Sequence, residues 1–466
     1  MALRKLLGQT AIYGVSSVVA RVLNYFLVPL YTRLLAPELY GIVSEFYVYI
    51  AMVSVVLSHG METAYFRYAP KTKSAFATAW ASVGFVGLIF LLGASFGSES
   101  IAHLLHRDGY QHLVLLSAFI LALDAWVVIP LARLRERKKP GKFALVRLTG
   151  IGVNLVLNLW FFLIQGWVEI EAIFWANAIS SFVVLVLLVD MKSYHLWRFS
   201  FKLWRRMMRF AWPIALAGLA YVANEGIDRA FLRFLLPAEE GDYMVGIYSA
   251  CYKLSIIMSL CVQAFRMGIE PYFFQGDAEK EKTLRRLMHL FSWFGGLVFF
   301  GVMSQLFWLK GFIGENYHEG LAVVPILLLA NGMLGVYFNL SYWYKTKNKT
   351  IYGALFSLLG AVITLGGNYF FIPKYGYMAS AWSTLGCYFL MVLVSYLCGR
   401  KQGLVNYNVF RIGLYWLFPV GVFVLAGSWL ANPVPSVFVS LFFIAFWLYL
   451  GYRFELKPMK LTRHES

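Results

Sequence analysis

Long apolar segments follow one another along the chain and are separated by short polar connections. Each is about 20 residues long, which is enough to cross the hydrocarbon core of a bilayer as a helix and too long for a barrel strand. The pattern predicts an all-α polytopic membrane protein. Its fourteen predicted spans lie at residues 8–34, 40–60, 76–97, 112–132, 143–165, 169–190, 210–236, 246–266, 287–309, 320–343, 351–372, 377–398, 411–430 and 435–452.

Composition and charge agree with this interpretation, since 60% of the residues are hydrophobic and only 14% are charged. With both termini inside, most of the 41 Lys and Arg residues fall in predicted cytoplasmic segments, as expected for a membrane protein. Topology and affinity for anionic lipid therefore explain the net charge of +18, and no feature indicates nucleic-acid binding. The basic and aromatic segment "SYHLWRFSFKLWRRMMRF" predicts a helix lying on the inner leaflet.

The chain contains two internal echoes. "NLWFFLIQG" from Asn158 and "NYFFIPKYG" from Asn368 each end at a glycine eight residues after the asparagine, Gly166 and Gly376. "LLAPELYGI" and "LLPAEEGDYMVGIY" each join the first two spans of a six-span unit. Together the echoes predict two six-helix lobes, residues 1–195 and 196–400, followed by two helices and a cytoplasmic tail in 401–466. Transporters built from repeats place their substrate site between the repeats.

Charges inside predicted spans are the main functional candidates, because each costs roughly 2.5–3.5 kcal/mol and normally faces a bundle interior. Arg21 lies near the middle of the first span, on the same helix face as Asn24. The fourth span contains one acid, Asp124, which is either a proton or cation site or a neutral, hydrogen-bonded carboxyl group. Two inner span ends carry similar polar sets, "HGMETAYFRYAPK" with Glu62 and Arg67, and "QAFRMGIEPYFF" with Arg266. The charged residues at these two span ends would also be expected if the helix ends were simply exposed to solvent.

The seventh span contains the segment "NEGIDRAFLRFLL", which begins at Asn224. Glu225 and Arg229 have the spacing of a helical ion pair, so Asp228 needs a partner from another helix, for which Lys253 is the candidate. Arg233 is expected to extend to the outer surface. These charges would either form a structural cluster or contact a substrate.

Several classes of function are disfavoured. The sequence has no nucleotide-binding glycine loop, zinc pattern or nucleophile elbow, so we expect no cofactor, no metal site and no enzymatic activity. A membrane-embedded glycosyltransferase or polymerase would need a larger outer loop than this chain provides. The four cysteines all fall within predicted spans and indicate no disulfide framework.

Four segments carry a resemblance to a known family: "VARVLNYFLVPLYTRLLAPELYGIVSEFYVY", "GMETAYFRY", "NEGIDRAFLRFLL" followed by "VGIYSACYKLS", and "NYFFIPKYGYMASAWST". The chain resembles the bacterial polysaccharide flippases (Wzx-like oligosaccharide flippases) of the multidrug/oligosaccharidyl-lipid/polysaccharide exporter superfamily. The resemblance implies two lobes around a cavity that opens alternately to the two sides of the cytoplasmic membrane. It also implies a monomer that flips an undecaprenyl-diphosphate-linked oligosaccharide to the outer leaflet.

A diphosphate needs fixed cations, so the charged candidates gain a role from this resemblance. The predicted substrate-binding residues are Arg21, Asn24, Arg67, Asn224, Arg229, Lys253 and Arg266. The predicted ion-coupling or charge-pairing residues, with H⁺ or Na⁺ as the coupling ion, are Glu62, Asp124, Glu225 and Asp228. A drug/cation antiporter and a lipid II flippase of the same superfamily are the alternatives, and a membrane-embedded transferase is a more distant one.

Overall fold

A computed structural model of the chain describes residues 23–188, 199–269, 280–347, 349, 351–402, 405–425 and 433–456. The described residues form helices and connections without a strand, which confirms the all-α prediction. The α-helices of eight or more residues are α1 (Leu27–Leu34), α2 (Pro37–Ser58), α3 (Met61–Tyr68), α4 (Ala75–Leu104), α5 (Gln111–Glu136), α6 (Pro140–Leu159), α7 (Ile170–Leu188), α8 (Phe201–Leu235), α9 (Ala238–Ile269), α10 (Lys280–Ser304), α11 (Val323–Leu340), α12 (Ile351–Tyr375), α13 (Tyr377–Arg400), α14 (Val409–Leu425) and α15 (Pro433–Gly451).

Every predicted span overlaps one of these helices, the first of them only from residue 23 onward. Among the described residues, ten helices are long and apolar enough to cross a membrane by length and composition. The remaining predicted spans coincide with α1, α8, α14 and α15. The prediction of a polytopic membrane protein with roughly fourteen helices is therefore confirmed.

The second predicted span continues beyond its expected inner end after a break in the helix. His59 and Gly60 adopt left-handed backbone conformations, with φ of 35° and 67°, and the chain resumes as α3 at Met61. Glycine takes this conformation at little cost. A Cβ atom on Gly60 would lie 2.5 Å from the carbonyl oxygen of Ala211 in α8. The break therefore lets the backbones of α3 and α8 come close together.

The chain divides into two compact units, Met1–Arg229 and Ala230–Ser466, whose boundary lies within α8. In the first unit, α5 packs against α4 and α7, and α6 packs against α7. Small residues permit close approach of such helices. Gly150 of α6, for example, contacts Val184 of α7 so closely that a Cβ atom would clash. The predicted lobe boundaries at residues 195 and 400 stay predictions.

In the second unit, α11 packs against α9 and α13, and α10 carries the two last helices, α14 and α15. Trp293 of α10 and Trp447 of α15 each donate an indole N–H to the other's main-chain carbonyl, at 3.0 and 2.9 Å. Gly451 leaves the space that the Trp293 ring occupies. This reciprocal contact fixes α15 to α10 within an aromatic core that includes Phe300 and Phe443.

The residues behind the two sequence echoes have similar structural settings. Asn158 in α6 and Asn368 in α12 are both fully buried. Gly166 and Gly376 both have positive φ, 67° and 53°, and each precedes the next long helix. Two residues, 35–36, separate α1 from α2, and two residues, 236–237, likewise separate α8 from α9. The echoes thus mark equivalent helix ends and turns in the two halves of the sequence.

The basic segment before the seventh predicted span, residues 193–210, begins outside the described residues, which resume at residue 199. From Phe201 it continues without interruption into α8. Leu203, Trp204 and Met207 pack against a cluster formed by α3, α4 and α5. Trp204 donates its indole N–H to Ser82 Oγ at 2.9 Å, and Ser82 Oγ lies 3.0 Å from His59 Nε2 at the break between α2 and α3. The first turns of α8 are thereby attached to the other helices of the first unit.

Candidate functional site

Two of the predicted substrate-binding residues lie in the chain's first span. Arg21 lies outside the described residues. Asn24 is exposed and lies three residues before Leu27, the first buried residue of α1. In α8, Asn224 belongs to the described helix, but its side chain is outside the described set. Their binding roles stay predictions.

Arg67 and Arg266 share one local arrangement at the ends of α3 and α9. The Arg67 guanidinium carbon lies 4.1 Å from the ring centroid of Phe210, and that of Arg266 lies 4.5 Å from the ring centroid of Phe338. Both arginine side chains are exposed. Stacking on a ring orients a guanidinium group. Each half of the sequence therefore presents an oriented arginine at a helix end.

Glu62 at the start of α3 forms an ion pair with Arg135 near the end of α5. The Arg135 guanidinium also lies over the rings of Phe66 and Phe143, at 5.0 and 5.9 Å. Both charged side chains are more than one third exposed, so solvent screens the pair. The contact connects α3 to α5 and gives Glu62 a structural partner.

Asp124 lies in a polar cluster built by three helices of the first unit. Ser181 of α7 donates to Asp124 Oδ1 at 2.7 Å, and Asn177 of α7 donates to the hydroxyl of Tyr47 in α2 at 3.2 Å. Ser181 is buried, whereas Asp124 and Tyr47 are half-buried. A carboxylate, hydroxyls and an amide together supply the oxygen ligands that suit a small hard cation or a proton. This cluster is the polar constellation that best fits the predicted ion-coupling role.

The charges at the end of the first unit have distinct settings within α8. Arg229 Nη1 donates to the main-chain oxygen of Glu225 at 3.4 Å, and the Glu225 side chain is exposed. Asp228 is buried with 5% exposure. Lys253 is half-buried in α9, which belongs to the second unit. The pairing of Asp228 with Lys253 and the substrate contacts of Arg229 and Lys253 stay predictions.

The expectation that Arg233 extends to the outer surface is wrong. Its side chain is buried, and its Nε lies 3.0 Å from Asp242 Oδ1. Only two residues separate α8 from α9, so the second turn of α9 comes back alongside the last turn of α8. Gly241 permits this approach, since a Cβ atom there would lie 3.0 Å from the Leu232 carbonyl oxygen. Arg233 therefore joins two consecutive helices.

Sequence reasoning missed a buried charge in α2. Glu45 has no exposed surface, and it binds Arg107, which lies after α4 and is 4% exposed. Arg107 Nε donates to Glu45 Oε2 at 2.9 Å, and the Tyr49 hydroxyl donates to Glu45 Oε1 at 2.5 Å. A glutamate inside an apolar span was itself the available signal. Its partner is 62 positions away, and nothing in the sequence pattern connects the two.

The described part of the chain contains no group of three or more His, Cys, Asp or Glu residues arranged to hold a metal ion. Its polar constellations are instead an oriented arginine at each of two helix ends, a carboxylate cluster around Asp124, and structural ion pairs. Oriented arginines bind phosphate oxygens, and a lone carboxylate with hydroxyl and amide neighbours binds a cation.

Comparison with known proteins shows which family the chain matches. Residues 30–265, just over half of the 466 residues, match the model of a family described as polysaccharide biosynthesis protein. The chain belongs to this family. Among curated proteins, a protein of the Lsg locus of Haemophilus influenzae is 23% identical over 74% of this chain and 87% of its own length.

Solved structures show the same fold as this polysaccharide biosynthesis protein. The lipid II flippase MurJ in an inward closed conformation matches with a TM-score of 0.70 over 95% of this chain and 99% of that one, at 12% identity. An inward-facing multidrug resistance transporter of the MATE family and MOP superfamily matches with a TM-score of 0.62 over 85% and 95%, at 14% identity. The protein is therefore a helical membrane protein with the fold of MOP-superfamily transporters.

Proposed function

We propose that the protein is a flippase for an undecaprenyl-diphosphate-linked oligosaccharide, and that it is a transporter and not an enzyme. It moves this lipid from the inner to the outer leaflet of the bacterial cytoplasmic membrane by alternating access, as a monomer with both termini in the cytoplasm. Membership of the polysaccharide biosynthesis family is the observation that carries the proposal. The fold shared with a lipid II flippase supports transport of a lipid-linked saccharide.

Recognition of the diphosphate rests on Arg67 and Arg266. A diphosphate carries several negative oxygens, which planar guanidinium groups bind through paired N–H donors. The stacking of Arg67 on Phe210 and of Arg266 on Phe338 orients both groups before the substrate arrives. Arg21, Asn24, Asn224, Arg229 and Lys253 complete the proposed substrate-binding set.

Energy coupling is assigned to Asp124. In this proposal the carboxylate, which is half-buried and accepts a hydrogen bond from Ser181, binds the proton or the sodium ion. An inside-negative membrane potential also favours outward movement of a polyanionic headgroup, at about 2.3 kcal/mol per charge per 100 mV. A drug/cation antiporter would use the same carboxylate but has no need of Arg67 and Arg266.

The test is flipping of a fluorescent undecaprenyl-diphosphate oligosaccharide in proteoliposomes that contain the purified full-length protein. We expect Arg67→Ala and Arg266→Ala each to lower the rate by about tenfold or more, because a hydrogen bond to a charged group contributes about 1.5–3 kcal/mol. Lys142→Ala is the matched control, since Lys142 is exposed in α6 away from the two arginines in sequence. Unchanged rates in both arginine variants would remove them from the site.

A second substrate separates the alternatives. Lipid II in the same vesicles should flip more slowly than the undecaprenyl-diphosphate oligosaccharide. Faster flipping of lipid II would identify that lipid as the substrate. Transport of an organic cation with no flipping of either lipid would favour the antiporter and overturn the proposal.

A further inference from the structure

The first three turns of α8 have two faces with opposite properties. Leu203, Met207 and Ala211 lie on the packed face, and Met207 and Ala211 have no exposed surface. The other face is basic, with Lys202, Arg205, Arg206 and Arg209 at the i, i+3, i+4, i+7 spacing of one helix side. All four side chains are exposed. We call these four residues the α8 basic face.

Within the part of the chain that the structure describes, no recorded ion pair balances the charges of this face. Of the ion pairs recorded within the described residues, none includes Lys202, Arg205, Arg206 or Arg209. Four exposed cations within two turns repel one another, and this favours an anion at the surface. The face therefore has the charge complementarity for a polyanionic surface or for several phosphate groups.

Aromatic side chains flank the same stretch of helix. Phe201 is 67% exposed and Trp212 is 57% exposed, and Phe201 stacks on Trp204 at a centroid distance of 5.3 Å. Exposed aromatic rings beside Lys and Arg are typical of a membrane interface, where rings lie at headgroup level and cations contact phosphates. An acidic soluble partner would require no such exposed rings. The combination favours a lipid as the occupant.

The face is fixed in place by its packed side. Trp204 bonds to Ser82, and the Gly60 backbone lies against Ala211, so the helix is held by the first unit along this stretch. The backbone that carries the four cations is therefore already ordered, and only their side chains lose conformational freedom when a ligand binds. A free amphipathic helix would have to order itself at the membrane first.

We propose that the α8 basic face is a binding site for anionic phospholipid headgroups, such as phosphatidylglycerol or cardiolipin. The orientation proposed above places it at the inner leaflet. Lys202, Arg205, Arg206 and Arg209 bind the phosphates, and Phe201 and Trp212 lie against the acyl chains. This site uses residues other than Arg67, which stacks on Phe210 of the same helix, and Arg266, and it is occupied by a membrane lipid, not by the transported one.

The experiment is native mass spectrometry of the full-length protein titrated with phosphatidylglycerol, cardiolipin or phosphatidylcholine. The test variant is K202Q/R205Q/R206Q/R209Q. The control variant, R137Q/K138Q/K139Q/K142Q, removes the same charge from exposed residues around the connection between α5 and α6. We expect retention of the two anionic lipids to fall about tenfold in the test variant and to stay close to wild type in the control. Phosphatidylcholine retention should be the same in all three proteins.

Equal losses in the two variants would overturn the proposal, because total charge would then explain the binding. Unchanged retention in the test variant would also overturn it and would leave an acidic protein as the occupant of this face. If the fourfold variant fails to fold, R205Q/R209Q takes its place, and R205K/R206K/R209K should retain the lipid. Excess inorganic phosphate should not displace it. Since no saccharide lipid is present, the result does not depend on the flipping assay.

Discussion

Arg107 and Glu45 form a buried ion pair that joins the connection after α4 to the body of α2. Their side chains are 3% and 0% exposed, and Arg107 Nε lies 2.9 Å from Glu45 Oε2. Removing one partner of such a pair leaves an uncompensated charge in a medium that solvates it poorly. The pair is therefore a point at which single substitutions should be costly.

Glu45→Ala should lower the free energy of unfolding by about 3–5 kcal/mol, because it leaves Arg107 buried and unpaired. The measurement is thermal unfolding of the detergent-solubilised protein. Glu99→Ala, at an exposed position of α4, is the control and should behave like wild type. The double variant with Glu45→Leu and Arg107→Met removes both charges and should be more stable than Glu45→Ala alone. The opposite order would contradict the assignment.

Gly60→Ala should destabilise the protein, for two reasons that act together. Gly60 has φ of 67°, and a Cβ atom would lie 2.5 Å from the Ala211 carbonyl oxygen. Holding a residue other than glycine in this region costs on the order of 1–3 kcal/mol. Gly93→Ala in α4 is the matched control, since no atom lies within 4 Å of its added Cβ. It should stabilise the protein by about 0.5–1 kcal/mol, and equal melting temperatures in the two variants would contradict the close contact.

Asp124→Asn should abolish the dependence of flipping on an imposed ion gradient. The substitution keeps an oxygen that can accept the hydrogen bond from Ser181 but cannot gain or lose a proton. Flipping in proteoliposomes with and without a pH or sodium gradient measures the effect, and downhill equilibration should persist. Asp108→Asn, at an exposed position after α4, is the control. A gradient response that survives in Asp124→Asn would place coupling elsewhere.

Loss of the proton from Glu455 should lower the free energy of unfolding as the pH rises from mildly acidic values. Burial raises the pKa of Glu455, against the hydrogen bond from Tyr415 and the charge of Arg411, which lower it. The folded protein then binds a proton more tightly than the unfolded chain, so this stabilisation is present below the unfolded pKa and is lost as pH rises through the folded pKa. Glu455→Gln cannot titrate. The difference between the melting temperatures of wild type and Glu455→Gln should fall over this pH range, and a constant difference would contradict the shift.

Hydrophobic periodicity was sufficient to predict most of the fold, because each span must satisfy its backbone hydrogen bonds within one helix. The echoes around Asn158 and Asn368 fall at residues with similar settings, two buried asparagines and, eight residues later, two glycines with positive φ. The contacts of the charged residues were harder to foresee. The sequence favours a surface position for Arg233. Its partner, Asp242, lies across a turn between two helices, and the sequence does not specify the geometry of that turn.

The candidate site was predicted only as a list of unusual residue types. The cost of burying a charge in a membrane span identifies Asp124 as exceptional. Its hydrogen bond from Ser181 depends on how α5 and α7 pack, because the two residues are 57 positions apart in the sequence. The stacking of Arg67 on Phe210 likewise requires α3 to turn toward α8, which the left-handed break at His59 and Gly60 brings about. Such contacts come from tertiary packing, and periodicity carries no information about them.

The reciprocal contact between Trp293 and Trp447 has a consequence for biosynthesis in the membrane. The two residues are 154 positions apart, so α10 is inserted into the bilayer long before α15 leaves the ribosome. Until then the Trp293 indole N–H lacks the carbonyl that it finally binds. The final hydrogen bonding of α10 is therefore completed only after α15 has been synthesised and inserted.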